Sequence, residues 1–222
     1  MNQRIQQFFH PDLTSGHIFS SLLAFAVPLM FSQLFQQLYN MADTIIVGRF
    51  VGKTALSAVG SVGALNFLII GSVIGLCTGF AIPIAQRFGA QDIKNLKKYV
   101  ANIIYTSAVL GVIFTIGAVL FTKPLLNILN TPAEIYEDAY NYIVVIFAGI
   151  GATMFYNLLA SIVRSLGDSK TPLYFLVFSS VLNVALDILL ITVFKMGVRG
   201  ASVATVIAQL ISGILCFIYV KR

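Results

Sequence analysis

Charge is what this sequence has least of: Asp, Glu, Lys and Arg make up 10% of its 222 residues, against roughly 25% in soluble globular domains. That shortage excludes an ordinary water-soluble domain. With 58% hydrophobic residues and a mean hydropathy of +0.91, the chain reads as an integral membrane protein. Histidine is scarce too, and both residues, His10 and His17, precede the first apolar run. No cluster with metal-ligand spacing, no glycine loop that would cradle a phosphate and no nucleophile–base arrangement is present, so neither an enzyme nor a cofactor is expected. The two cysteines, Cys77 and Cys216, both sit in apolar runs, where a disulfide has little to recommend it, and they read as small core residues. Internal repeats and low-complexity tracts are absent. The polar residues 1–17 lead into an apolar run without an early cleavage site of small residues, so no removable signal peptide is expected.

What is present is a series of apolar segments. A bilayer core requires about 20 apolar residues per helix, and six segments reach that length, at approximately 20–47, 55–82, 99–121, 140–163, 173–194 and 199–220. The expected fold is an all-α bundle of six transmembrane helices. If the amino terminus is cytoplasmic, nine basic residues (Arg4, Arg87, Lys94, Lys97, Lys98, Arg164, Lys170, Lys221 and Arg222) fall inside. Five, namely Arg49, Lys53, Lys123, Lys195 and Arg199, fall outside. The positive-inside rule therefore places both termini in the cytoplasm of a cell-membrane protein. The net charge of +6 is accounted for by these topology signals, so nucleic acid is not an expected partner and membrane lipid is. The segment from Asp92 to Lys98 reads either as a short surface helix or as a basic loop, the loop being the simpler reading. Gly71 and Gly75 form a G-x-x-x-G that permits close helix approach.

The polar groups inside the apolar segments carry the functional signal. At about 100° per residue, Gln33, Gln36, Gln37, Asn40, Asp43 and Thr44 fall within an arc of roughly 120° on the first helix. A charged group in hydrocarbon is costly, so this stripe is expected to line a water-accessible cavity within protein. Asp43, one turn after Tyr39, can bind and release a proton or hold a small cation such as sodium. The alternative is an interfacial acid neutralised by Arg49 or by a helix end. Asp187 lies in the fifth segment one turn after Asn183, and the two share a face, so the amide can donate to the carboxyl or both can ligate one ion. The alternative is a structural, hydrogen-bonded acid. Pro28 interrupts the first helix and frees a carbonyl near Ala24, a potential hinge. Asn157, Thr205 and Gln209 either line the same cavity or tie helices together.

Five stretches together resemble one family. They are Val27 to Gly60 (VPLMFSQLFQQLYNMADTIIVGRFVGKTALSAVG), Gly79 to Asp92 (GFAIPIAQRFGAQD), Arg164 to Pro172 (RSLGDSKTP), Asn183 to Asp187 (NVALD) and Gly197 to Gln209 (GVRGASVATVIAQ). In order and spacing they are similar to the amino-terminal half of multidrug and toxic compound extrusion (MATE) transporters. The resemblance implies a cation-coupled antiporter that exports amphipathic, often cationic, compounds through two six-helix lobes, with proton or sodium as coupling ion. It assigns cation binding to Asp43, Asp187, Asn183, Tyr39 and Thr205, a hinge to Pro28, and an aromatic partner on the fourth helix to Tyr142 or Tyr156. The chain is long enough for one lobe, so the expected partners are a small amphipathic substrate and either a carboxyl-terminal lobe or a second copy. Two other readings are a lipid or oligosaccharide flippase, disfavoured because no basic residue lies deep in an apolar segment, and a truncated membrane protein that does not transport.

Overall fold

A computed structural model describes residues 18–221. The polar stretch 1–17, with His10 and His17, and Arg222 lie outside the described residues. Regular structure among the described residues is helical: α1 (Ile18–Phe50), α2 (Lys53–Ser61), α3 (Gly63–Gly89), α4 (Ile93–Ile128), α5 (Ala133–Ala148), α6 (Ile150–Ser165), α7 (Lys170–Ile188) running into a π turn (Leu189–Val193), and α8 (Val198–Lys221). An apolar chain in lipid must satisfy its backbone polar groups internally, which helices do. Five helices (α1, α3, α4, α7 with its π turn, and α8) are each long and apolar enough to span a bilayer. The pair α5 and α6, bent by 48° at Gly149, meets the same length and composition when taken together and brings the candidate spans to six.

Three boundaries differ from the sequence expectation. The segment 55–82 is two helices broken at Val62, which is fully buried. Gly60, Ser61 and Gly63 around it hold a helix weakly, and the break lets α2 pack on α5 while α3 packs on α6. The segment 140–163 begins earlier, at Ala133, and is broken at Gly149. Neither a loop nor a separate surface helix forms at 92–98: α4 begins at Ile93, with Lys94, Lys97 and Lys98 in its first turns. The cause is Asp92, whose carboxylate accepts the Asn95 backbone N–H (3.2 Å) and side-chain amide (2.7 Å) and so caps the helix. At its other end α4 continues through Pro124 to Ile128, its last turns held in the bundle by the buried Thr122 and Leu126.

The centre of the bundle is α6 against α8, with α3 on α6, and α7 and α5 on α8; α4 covers α3, α5 and α6 from outside. In a bilayer such contacts rest on close packing rather than on release of water. The tightest approaches are made by glycines. A Cβ on Gly149 would run into the Val206 side chain of α8, and one on Gly213 would stand 2.6 Å from the Phe155 ring. Gly71 and Gly75 bring no helix close: a Cβ on either meets nothing within 4 Å. The reason is angular, because α3 is buried through Val73, Cys77 and Ile84, and the two glycines lie about 160–200° round the helix from Val73. Cys77 and Cys216 are buried free thiols.

Two outcomes follow from this packing. Gly149→Ala should lower stability by about 1–3 kcal/mol through overpacking, read as a lower midpoint of thermal unfolding in detergent, whereas Gly71→Ala, with open space around it inside a helix, should leave the midpoint unchanged or raise it. At the start of α4, Asn95 and then Arg87 hold the Asp92 carboxyl below the usual carboxylate range. A depressed acid stabilises the fold above its unfolded pKa and loses that contribution as pH falls through the folded one. Hydrogen-exchange protection at 93–97, corrected for intrinsic rate, should therefore fall on acidification below about pH 4, and Asp92→Ala should remove that dependence.

Candidate functional site: an acid pair inside the bundle

Asp43 and Asp187 come together between α1 and α7, each within electrostatic reach of the other. Asp43 is 7% exposed and Asp187 is fully buried. From α5, the Tyr142 hydroxyl donates to Asp43 Oδ2 at 3.4 Å. Tyr39, one turn before Asp43 on α1, is also buried and acts electrostatically with both acids. The Asn183 amide stands between Asp187 and Thr205 of α8. In one orientation its nitrogen donates to Thr205 Oγ1 at 3.3 Å. Turned over, it donates to Asp187 Oδ2 at 3.2 Å while its oxygen accepts the Thr205 backbone N–H at 3.2 Å. The second orientation gives the acid its donor and pairs both ends of the amide.

The pair is incompletely satisfied. With both acids charged, Asp43 Oδ1 and Asp187 Oδ1 are buried without a donor, although the carboxyls stand close enough to bond each other through one shared proton. The Tyr39 hydroxyl has only the neighbouring Thr205 to turn to. Such a state calls for a chemical reason. Among the described residues no Lys or Arg is found acting on either acid. Arg49, the neutralising partner of the alternative reading, is exposed, and Asp43 turns instead to Tyr142. Two carboxyl groups, an amide, two phenols and a threonine hydroxyl thus form a polar nest in an apolar interior. A proton or a small monovalent cation matches that donor and acceptor set.

The remaining residues singled out from sequence divide into three groups. Gln33, Gln37, Asn40 and Thr44 are exposed and Gln36 is half-buried, with Asn40 donating to Gln37 at 3.3 Å. Around α1 the side chains form three sectors. Tyr39, Asp43, Ile46 and Val47 face the bundle, the amides form a polar exposed strip, and Met30, Leu34, Leu38, Met41 and Ile45 form an apolar exposed strip. Asp43 sits where the buried sector meets the polar strip. Gln209 of α8 accepts from the Thr153 hydroxyl of α6 and so ties these two helices together, whereas Asn157 donates to the Thr153 carbonyl at 2.8 Å within α6. Pro28 is buried in a helix that runs unbroken past it, its carbonyl accepting the Ser32 hydroxyl at 2.9 Å. Of the two tyrosines considered as aromatic partner, Tyr142 reaches the acid; Tyr156 donates to the Pro172 carbonyl at 3.4 Å.

Depth in the bundle is the signal that separates those tyrosines. Asp43 is seven residues before the end of α1 at Phe50, and Tyr142 nine residues after the start of α5 at Ala133. Asp187 is six before the end of the π turn at Val193, and Thr205 seven after the start of α8 at Val198. At about 1.5 Å per residue all four lie about 9–14 Å from the same end of the bundle. Tyr156, near the opposite end of its span, does not.

A helical bundle of this kind, crossing a membrane several times and enclosing an acid pair, is a multi-pass membrane protein with an ionisable interior. The comparisons narrow the class. The chain belongs to the MatE family, whose model matches residues 28–189. It is 31% identical over 211 residues to the probable multidrug resistance protein YpnP of Bacillus subtilis, covering 95% of this chain and 47% of YpnP. To the probable multidrug resistance protein NorM of Thermotoga maritima it is 31% identical over 207 residues, covering 90% and 44%. Among solved structures, a MOP superfamily transporter from Pyrococcus furiosus superposes with a TM-score of 0.86 at 29% identity, covering 97% of this chain and 47% of that one. The chain thus spans about half the length of the relatives it matches.

The site geometry predicts a coupling between Asn183 and Asp187. Asn183→Leu strands a buried carboxyl and should cost about 1–3 kcal/mol, measured by thermal unfolding in detergent. Asn183→Leu in an Asp187→Leu background should cost distinctly less, and equal costs would mean that the amide does not serve the acid.

Proposed function

We propose that this chain is the amino-terminal lobe of an exporter of small amphipathic compounds, and that Asp43 and Asp187 bind the proton or sodium ion whose inward flow drives export. The observation that carries the reading is the buried acid pair with unfilled oxygens and, among the described residues, no basic counter-ion. Asn183, Thr205, Tyr39 and Tyr142 complete the cation site. The names of YpnP and NorM as probable multidrug resistance proteins support the substrate class. The exposed amides Gln33, Gln37 and Asn40, with Gln36 beside them, line the cleft that a second lobe or a second copy closes. Both termini face the cytoplasm of the cell membrane, so the acids open toward the outer half of the bilayer, where the coupling ion is taken up.

Ion binding shifts the balance between conformations only by the difference in its affinity for them, and a tenfold difference supplies about 1.4 kcal/mol. In this scheme the occupied site repacks α1 about Pro28 against α7, and the polar strip moves with it.

The test is a pair of measurements. The purified chain should be stabilised against thermal unfolding either by sodium over choline or by a change of pH, and Asp43→Asn and Asp187→Asn should each abolish that response. In a two-lobed transporter carrying this sequence, the same substitutions should stop ion-driven efflux of ethidium without lowering expression. Unchanged ion response and efflux in both variants would rule out the site.

A further inference from the structure

The outward face of α4 carries polar side chains that neither the acid site nor the packing of the bundle uses. At about 100° per residue, Lys94, Lys98, Asn102, Tyr105, Val109 and Val112 fall within an arc of roughly 80°, and all six are exposed. Ile103, Ser107 and Gly111, which are buried, lie on the opposite side of the helix. On a bundle immersed in lipid, this strip meets the bilayer. Its chemistry changes with depth. Lys94 and Lys98 stand at the polar end of the helix, with Lys97 exposed beside them. Asn102 and Tyr105 follow, about 6 and 10 Å further in than Lys98, and neither side chain is found in a hydrogen bond among the described residues. Beyond them the strip is apolar through Val109, Val112 and Ile116.

That order is the order of groups in a glycerophospholipid. Ammonium groups meet a phosphate, an amide and a phenol meet ester carbonyls, and aliphatic side chains meet an acyl chain. Tyr105 is 74% exposed, so its hydroxyl turns to the ester layer for an acceptor. The positive charge is also in excess. Asp92, the acid nearest in sequence, has Arg87 at 3.5 Å, whereas no ion pair is found for Lys94, Lys97 or Lys98 among the described residues. A topology signal requires only positive charge near the end of a span. It does not require two of the charges to stand in line with a lipid-facing strip, nor an amide and a phenol between them and the hydrocarbon.

We propose that the start of α4 binds one anionic phospholipid, its phosphate on Lys94 and Lys98, its ester groups at Asn102 and Tyr105, and an acyl chain along Val109 and Val112. A zwitterionic headgroup brings a cation of its own, which the lysines repel, so phosphatidylglycerol is preferred to phosphatidylcholine. The site shares no residue with the acid pair, and the two can fail separately. Native mass spectrometry of the full chain, equilibrated in neutral detergent with equal amounts of these two lipids carrying identical acyl chains, reads the affinity for each. One phosphatidylglycerol should be retained in preference. Lys94→Gln with Lys98→Gln should weaken its binding at least tenfold, since one lysine at an anionic surface is worth about fivefold, and should leave phosphatidylcholine unchanged. Arg49→Gln with Lys53→Gln, the same loss of charge at the opposite end of the bundle, should have no effect. Tyr105→Phe should weaken binding about fivefold, the loss of one hydrogen bond. Glycerol phosphate without acyl chains, in excess, should not displace the lipid. Equal retention of the two lipids would overturn the proposal and show an unselective lipid shell. Equal losses from the two double variants would overturn it as an effect of net charge, and displacement by glycerol phosphate would leave a plain anion site in its place.

Discussion

Two carboxyl groups adjoin one another inside a bundle whose interior is mostly apolar, and the arrangement of the helices around them follows from what that costs. Each acid needs donors, and lipid supplies none. One donor, Tyr142 of α5, comes to Asp43 from a helix distant in sequence; the other, Asn183, stands one turn before Asp187 on α7 and is held by Thr205 of α8, and all meet because they lie at one level of the bundle. The level is set by where each helix begins and ends. A turn inserted into any of these helices would carry its polar group about 5.4 Å out of the plane, beyond hydrogen-bond reach.

The breaks in the helices serve the same geometry. Gly149 bends α5 away from α6 and lets α8 approach so closely that no side chain fits at that position. This approach fixes α8 against both halves of the broken span, and α7 packs on α8 in turn. Thr153 and Gln209 add a hydrogen bond across α6 and α8 without entering the acid cluster. The acids are thereby held from one side by a closely packed group of helices, with small residues where lipid-soluble chains lack a hydrophobic drive to associate.

Much of this was legible in the sequence, for identifiable reasons. Runs of apolar residues showed the spans, because the bilayer sets their length, and the six polar side chains of Gln33 to Thr44 marked α1. Asp187 with Asn183 was visible because an acid eight residues from the nearest base, inside an apolar run, has few structural uses. The helix breaks at Val62 and Gly149 were not legible: both lie inside apolar runs, and a break there depends on which helix lies opposite. The G-x-x-x-G of Gly71 and Gly75 misled, since the motif records small size and not the face on which a helix is buried. For Asp92, an N-cap signal stood in the sequence ahead of Asn95, but the basic residues after it resembled a loop. Tyr142 was one of two candidates until the levels of the helix ends were compared.

In the proposed exporter, the position of α1 is what would connect the acid pair to movement. This helix packs chiefly on α7, with lesser contact to α2, and most of its surface is exposed, apolar on one strip and amide-rich on another. Its polar attachment to the bundle is concentrated at Asp43, which lies on the boundary between the buried sector and the amide strip and bonds to Tyr142. The charge carried at the acid pair therefore bears directly on the least embedded long helix. With both carboxyls charged, they repel across the α1–α7 interface; with one positive charge between them, they draw the same two helices together. A helix already packed on all sides would absorb that change as strain, because cores do not deform continuously. An edge helix with Pro28 in it, where one backbone hydrogen bond is missing, can instead change its packing and carry its amide strip along. In the proposed function, the same polar stripe that sequence places around Asp43 is thus the part of the molecule best situated to turn the binding of one small cation into a change of surface.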